Sequence, residues 1–409
     1  MCEGLQVLQD RGFIQQCTDL EGLNNAMKAA PITFYVGVDP TGPSIHVGHM
    51  VPVFALAHLK RSGHKPVLLL GGGTARIGDP SGKTEMRKML TYEDINENVQ
   101  SIQKQLSAVV TMDGKNGWFV NNADWLANLN YIDFLREIGV HFSVNRMLTF
   151  EAYKKRMETG LTFIEFNYQL LQSYDYLELY RRKKCTLQIG GDDQWGNIVA
   201  GIDLVRREEK AEVFGLTFPL ITRADGKKMG KSEQGAIFLD PTMCSVYDFY
   251  QYWRNVDDRD VEKFLKLFTF LSLDEIKTIC APDADINKAK EVLAWEYTKL
   301  IHGKEKADEA IAAAKAAFGG DGQGDLEAMP SIEIAESEFE AGINIMDLFA
   351  RTSLCASKSE ARRLVSQGGA IVNDEKITDI DFIVKAGAVK DGNIILKAGK
   401  KRFFRVIVK

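Results

Sequence analysis

Over the first 240 residues the apolar positions fall into short, β-branched runs with few charges. They lie at Ile32 to Val38, Val67 to Leu70, Trp118 to Asn121, Thr186 to Ile189 and Phe214 to Ile221, separated by helix-length segments. Short buried strands alternating with helices predict a doubly wound α/β unit with a mostly parallel sheet. Such sheets bind ligands beyond the carboxyl ends of their strands. Those ends here carry DPTGP, GGGTARIGDPSGK, NNADW and GGDDQWGN, all rich in glycine, asparagine and aspartate. From about Asp240 to Phe318 the pattern turns helical, with YDFYQYWRNV and the alanine-rich KADEAIAAAKAAF. GGDGQG, from Gly319 to Gly324, reads as a flexible break, and Ser331 to Glu340 as an acidic linker. Beyond it Ser357, Ser359 and Glu360 can start a helix bearing Arg362 and Arg363, which Gly368 and Gly369 end before a strand.

The chain has 409 residues, 45% of them apolar, enough for two or three domains around a sizeable core. Its six cysteines, Cys2, Cys17, Cys185, Cys244, Cys280 and Cys355, form no CxxC pair. That usage fits reduced thiols in a cytosolic protein better than a disulfide frame or a zinc site. The N-terminus carries Glu3 and Asp10 and no apolar h-region, and no apolar run has membrane-spanning length, so a soluble cytoplasmic protein is expected. Net charge is −5 overall, but Ile343 to Lys409 holds 13 Lys/Arg against 7 Asp/Glu, a basic module on an acidic body. A compact basic patch is what a phosphate-backbone contact requires, although a basic face can also be merely solvated.

The chemistry concentrates in YVGVDPTGPSIHVGH, from Tyr35 to His49, and in KKMGKS, from Lys227 to Ser232. The first reads as a strand, a Pro/Gly turn and a helix opening with two histidines. A helix start offers unpaired N–H groups and a positive dipole end to an anion. Gly48, between the histidines, costs helix stability and suits close approach of a flat ligand to the backbone. His46 and His49 lack the glutamate of HExxH and an obvious third ligand, so no protein-held metal is expected. GDPSGKT, from Gly78 to Thr84, has three residues where a Walker A loop needs four, and GGGTARIG is out of register with GxGxxG. Neither a P-loop nor a dehydrogenase-type dinucleotide site follows. Tyr168, Gln172 and Asp175, at i, i+4 and i+7, form one polar stripe on a helix, suited to a zwitterionic aromatic ligand or simply to water.

HVGH and KMGKS resemble the HIGH and KMSKS signatures of class I aminoacyl-tRNA synthetases. With GDPSGKTEMR, NNADW, FNYQLLQSYD and LQIGGDDQWGN in the same order, the chain resembles the bacterial-type tyrosyl-tRNA synthetases over its whole length. The resemblance implies a Rossmann-like catalytic domain over 1–240, a helical anticodon-arm domain over 241–320 and a linker over 321–342. It also implies a C-terminal α+β RNA-binding domain over 343–409, like that of ribosomal small-subunit protein four. It implies that Tyr35 and Asp175 read the tyrosine phenol, that Tyr168, Gln172 and Asp79 hold its α-ammonium, and that Asn122 and Gln188 support the pocket wall. Thr41, His46, Lys228 and Lys231 would serve the ATP polyphosphate, with Lys83 and Arg87 assisting from a second loop. Gly37, Asp39, His49, Asp193 and Gln194 would line the adenylate, and Mg2+ would arrive with ATP. Arg362 and Arg363 would meet phosphates of tRNA(Tyr), and Tyr131 to Phe166 would form a homodimer interface, with tRNA crossing both subunits.

The chain departs from the family pattern at Val47, at Gly230 in place of a serine, where a more flexible loop is expected, and at Pro52, which could tilt the histidine-bearing helix. Two other classes stay open. An HxGH adenylyltransferase would lack KMGKS and the basic module, and a non-enzymatic RNA-binding protein would leave the pocket residues without purpose. A tryptophanyl enzyme of the same fold would not need Tyr35 and Asp175.

Overall fold

The computed structural model describes residues 1–81, 90–224, 226, 229–232, 235–318, 330–352, 354–399 and 402–409, with backbone alone at 231, 232 and 316–318. They form two compact units, residues 1–304 and 305–409. No described helix is long and apolar enough to cross a membrane.

The first unit is built on a six-stranded sheet. In chain order its strands are β1 (Gln16–Cys17), β2 (Thr33–Val38), β3 (Lys65–Leu70), β4 (Trp118–Asn121), β5 (Cys185–Gly191) and β6 (Phe214–Phe218), and in space they run β1-β6-β5-β2-β3-β4. Every pairing is parallel except β1 on β6, an antiparallel edge. From β2 the chain steps outward through β3 to β4, then returns to β5 on the other side of β2. Right-handed crossovers therefore send connecting helices to opposite faces, and the switch of direction lies between β2 and β5. Alternation along the strands follows. Tyr35, Val67 and Leu69 share one core with Tyr176, Leu177 and Leu204 of the helices Tyr168–Lys183 and Trp195–Glu209.

The Met50–Arg61 helix is buried almost all round, from Met50 and Val51 through Val53 to Leu59. A helix of that composition needs cover on two sides. The sheet supplies one, and the helical segment that follows supplies the other. The Phe54 ring lies 5.6 Å from Phe268 in the Val261–Phe268 helix and 5.4 Å from Tyr297 in the Ile286–His302 helix. Arg11, buried, fastens the same segment by donating to the carbonyls of Lys266 (2.9 Å), Thr269 (3.1 Å) and Leu271. Pro52 stands in the first turn of the Met50–Arg61 helix, where an N–H has no intrahelical acceptor. The disturbance expected of it therefore has no hydrogen bond to break.

The second unit carries a five-stranded sheet in the spatial order Glu375–Ile377, Ala370–Val372, Asn393–Ala398, Arg402–Val408, Ser331–Ile334. Asn373 and Asp374 (φ 46° and 73°) close a two-residue hairpin turn between Val372 and Glu375, and Asp391 and Gly392 (φ 47° and 74°) another between Lys390 and Asn393. Residues 331–341, read from sequence as linker, belong to this fold. Ser331–Ile334 pairs in parallel with Arg405 to Val408, Ile334 is buried, and the Glu336–Ala341 helix places Phe339 in the core. The acidic residues that suggested a linker are the solvent side of these elements. Ser357 caps the Lys358–Ser366 helix by accepting from the Glu360 amide. Ala361 and Val365 face inward while Arg362 and Arg363 are exposed, and Gly368 (φ 67°) turns the chain into Ala370–Val372, as expected.

Between β4 and β5 lies an insertion whose end sets the start of the Tyr168–Lys183 helix. Arg156 and Glu165, 3% and 2% exposed, pair through Nε to Oε1 and Nη2 to Oε2, both at 3.0 Å. Arg156 Nη2 also donates to the Gly160 carbonyl (2.8 Å), and Glu165 accepts from the amide and hydroxyl of Thr162 (3.1 and 2.8 Å). The turn from Thr159 to Thr162 is thereby clamped just ahead of the Tyr168–Lys183 helix. Arg156→Met leaves Glu165 buried and unpaired and should lower unfolding stability by about 3–5 kcal/mol. Urea denaturation monitored by fluorescence checks it, and an unchanged midpoint contradicts the clamp.

Candidate active site

Between β2, β5 and the Tyr168–Lys183 helix lie three buried polar groups, Asp175, Tyr35 and Gln188. Asp175, 2% exposed, accepts from Asn122 Nδ2 at Oδ2 (2.9 Å) and from Trp125 Nε1 at Oδ1 (2.8 Å). Burial pushes its carboxyl up to about 8, against the downward pull of those two donors. Tyr35 and Gln188 stand directly opposite each other across the β2–β5 pairing, so their side chains share a face. Tyr35 Oη and Gln188 Oε1 are buried with no hydrogen-bond partner in the protein. Native interiors rarely leave such atoms unsatisfied, and a pair of them on one sheet face, the Tyr35 hydroxyl near Asp175, marks a place for a polar ligand. Burial first, and then the Asp175 charge, raises the Tyr35 phenol well above its ordinary range, so it stays protonated and able to donate.

A second polar cluster adjoins the first. Asp39, just past β2, accepts from Thr74 Oγ1 (2.7 Å) and Tyr168 Oη (2.9 Å), and Thr74 in turn accepts from Asn122 Nδ2 (2.9 Å). Asn122 Oδ1 accepts from the Gly73 amide (2.7 Å), so one asparagine ties the β3 loop to Asp175. Asp79 accepts from the Ser81 amide (2.9 Å) and from Gln194 Nε2 (2.7 Å). Asn197 Nδ2 lies 3.1 Å from both Gln172 Oε1 and Gln194 Oε1. Acceptors therefore dominate the floor between the helix Tyr168–Lys183 and the β2 end, which suits a cationic group.

The histidine segment differs from its sequence reading in one respect. His46 and His49 flank a 3-10 turn, Val47–His49, and the α-helix begins only at Met50. The nearby amides are engaged: Val47 N donates to Ile237 O (2.9 Å), Gly48 N to His46 Nδ1 (3.1 Å), and His49 N to His46 O (2.9 Å). The anion-handling capacity expected of backbone N–H groups there thus passes to side chains. The two imidazoles stack at 3.9 Å, with His49 and Thr41 exposed and His46 half-buried. The lysine-rich loop is drawn against this turn: Leu239 N donates to Ile45 O (3.0 Å) and Ile237 N to Gly230 O (2.9 Å). A Cβ on Gly48 would sit 2.8 Å from His46 Cε1, and one on Gly230, at φ 86°, only 2.9 Å from Gly48 N. Gly230, expected to loosen the loop, is instead required by a left-handed backbone and close approach to the histidine turn.

The structure therefore brings together Tyr35, Asp39, Asp79, Asn122, Tyr168, Gln172, Asp175, Gln188 and Gln194. Gly37 and Asp193 lie exposed at the neighbouring strand ends. Lys83, Arg87 and Lys228 fall outside the described residues, as does the Lys231 side chain, whose backbone forms the short strand Lys231–Ser232. Arg362 and Arg363 belong to the second unit. The sequence reading gave no role to Thr74, Trp125 or Asn197, although each stands in a polar strand-end segment that it had singled out. Asp192, by contrast, accepts from Gln16 and Thr217 (2.7 and 2.8 Å) and serves the β1–β6 edge. Among the described residues no group of three or more His, Cys, Asp or Glu could hold a metal ion.

Residues 27–319 match the family model of the class I tRNA synthetases (W and Y), and residues 322–406 that of the tyrosine–tRNA ligase SYY-like C-terminal domain. The chain is 64% identical over 408 residues to the tyrosine–tRNA ligase of Treponema denticola, covering 100% of both chains. It is 58% identical over 408 residues to that of Treponema pallidum, covering 100% of this chain and 99% of the relative. Among solved structures, a C-terminally truncated mitochondrial tyrosyl-tRNA synthetase of Aspergillus nidulans superposes with a TM-score of 0.68 at 31% identity, covering 76% of this chain and 92% of that one. The family model covers well over half of the chain and the Treponema relatives match it end to end, so the chain belongs to the class I tRNA synthetases of the tyrosine and tryptophan type.

Proposed function

We propose that this chain is a tyrosine–tRNA ligase, which activates L-tyrosine with ATP and transfers it to the 3′-terminal adenosine of tRNA(Tyr). The observation that carries the choice of tyrosine is the buried Asp175 carboxyl near Tyr35 Oη, a phenol without a partner in the protein. A phenol hydroxyl satisfies this corner as donor to Asp175 and acceptor from Tyr35. Phenylalanine would leave the Tyr35 hydroxyl buried and unpaired, a cost of about 1–3 kcal/mol, and would give Asp175 no donor beyond Asn122 and Trp125. An indole N–H could donate but not accept. Asp79, Gln172 and the Asp39-bound Tyr168 are the acceptor-rich region for the α-ammonium.

In the first step a carboxylate oxygen of tyrosine attacks the α-phosphorus of ATP, forming the mixed anhydride and expelling pyrophosphate. The attacking carboxylate is already ionised near neutral pH, with an ordinary pKa of about 3.5, so no general base is needed. Positioning and charge stabilisation are the tasks left to the protein. His46, Thr41 and the lysines of KKMGKS, with Lys83 and Arg87, face the polyphosphate in this reading, and Mg2+ comes with ATP. Gly37, Asp39, Gly48, His49, Asp193 and Gln194 line the adenylate. In the second step a ribose hydroxyl of the terminal adenosine attacks the tyrosyl carbonyl and AMP leaves. Exposed Arg362 and Arg363 supply phosphate contacts for the tRNA. Residues 1–240 form the catalytic domain of this reading and 241–320 its anticodon-arm domain. A homodimer through residues 131–166 is supported by the apolar side chains exposed there, Tyr131 (55%), Ile132 (68%), Val140 (71%) and Phe163 (69%), more than a solvated surface needs.

ATP–pyrophosphate exchange should proceed with tyrosine and not with phenylalanine or tryptophan, and its absence with tyrosine sinks the proposal. Asp175→Ala should abolish exchange, whereas His46→Ala should slow it about a hundredfold without raising the tyrosine KM. Equal loss of tyrosine affinity in both variants contradicts these roles.

The Asp175 carboxyl also sets a pH dependence. With its pKa raised to about 8, the free enzyme below that pH is protonated at the phenol-accepting oxygens. The kcat/KM for tyrosine should therefore climb as pH rises and level off above about 8, because this ratio reports the free enzyme. A flat profile from pH 6 to 9, measured by exchange, would show that the carboxylate is already charged.

A further inference from the structure

The polar cluster below Gln172 has a direction, set by Asp79 on one side and by the Gly196 carbonyl on the other. Asp79 offers only acceptors to Gln194, so the Gln194 amide must turn its Nε2 toward Asp79 (2.7 Å) and its Oε1 toward Asn197. Asn197 must then present Nδ2 to that oxygen at 3.1 Å. From the other side, the Gly196 carbonyl can only accept, which turns Gln169 Nε2 toward it (3.3 Å) and toward Asn197 Oδ1 (3.5 Å). Two independent anchors, a carboxylate and a carbonyl, thus fix the same orientation of the Asn197 amide. The same Nδ2 lies 3.1 Å from Gln172, so Gln172 must offer Oε1 and not Nε2 to it.

We infer that Asn197, 6% exposed and assigned no role above, is a positioning residue that holds the Gln172 amide with its oxygen available to the α-ammonium of the amino acid. An amide oxygen has two lone pairs. Asn197 takes one and leaves the other for the ammonium, while the reversed amide would set an N–H against a cation. Orientation in advance matters because an amide free to turn forfeits part of the binding energy in selecting one of its two settings. Asn197 touches neither ATP nor tyrosine in this arrangement; it acts through Gln172. The inference rests on the proposed tyrosine activation and deepens it.

The test separates ammonium recognition from general damage. Asn197→Leu, close in volume, and Asn197→Ala, which only removes atoms, are compared with the wild type in ATP–pyrophosphate exchange. Tyrosine is the substrate, and its deamino analogue, 3-(4-hydroxyphenyl)propionate, is the competitive inhibitor. In either variant the tyrosine KM should rise about tenfold or more, as for one weakened hydrogen bond to a charged group, while the analogue's inhibition constant stays unchanged. A merely structural role would shift tyrosine and analogue together, and that result, or no shift in a variant with wild-type melting temperature, overturns the inference. If the Leu side chain is not accommodated, the Ala variant carries the same comparison. Wild-type protein without tyrosine-dependent exchange would instead remove the activity on which the inference stands.

Discussion

The burial of one carboxylate organises this molecule. Removing Asp175 from water is unfavourable for its charged form, and the protein answers with a donor on each oxygen, from Asn122 and from Trp125. Each donor is itself fixed: Asn122 by the Gly73 amide, and Trp125 by the turn of helix that follows β4. The Tyr168–Lys183 helix that carries Asp175 is in turn set by the Arg156–Glu165 clamp at its start. A carboxyl so held, with a donor on each oxygen yet lone pairs to spare, discriminates by what it lacks. Only a ligand that brings a donor to it and an acceptor to Tyr35 completes the corner.

The nucleotide side follows a different physical logic. There the backbone amides of the histidine turn are engaged, Val47 N with Ile237 O in the segment after KMGKS and Gly48 N and His49 N with His46, so the turn and that segment are joined. Gly48 and Gly230 allow their backbones to meet, which brings Gly230 against the histidine turn.

Much of this was legible in the chain. The apolar runs at Ile32, Val67, Trp118, Thr186 and Phe214 became β2 to β6 with small shifts of boundary, because fully buried parallel strands carry a strong local signal. Tyr168, Gln172 and Asp175 did share a face, since helical spacing alone decides that. What escaped was relational. Thr74, Trp125 and Asn197 acquire meaning only from the side chains they orient, and these lie about 25 to 50 positions away in sequence. The α-helical start at the histidines failed because pairing with Ile237 outcompetes helix initiation. The strand Ser331–Ile334 was hidden because a short edge element exposed on one side reads as polar linker.

The central claim, that a buried carboxylate at position 175 reads a phenol, is tested most directly by following the Asp175 carboxyl carbon by 13C NMR through a pH titration, with and without tyrosine. The account predicts a titration near pH 8 in the free protein that moves to lower pH when tyrosine binds, because a donated phenol proton favours the charged carboxylate. A carboxyl that titrates near its ordinary pKa of about 4, or one indifferent to tyrosine, would contradict it.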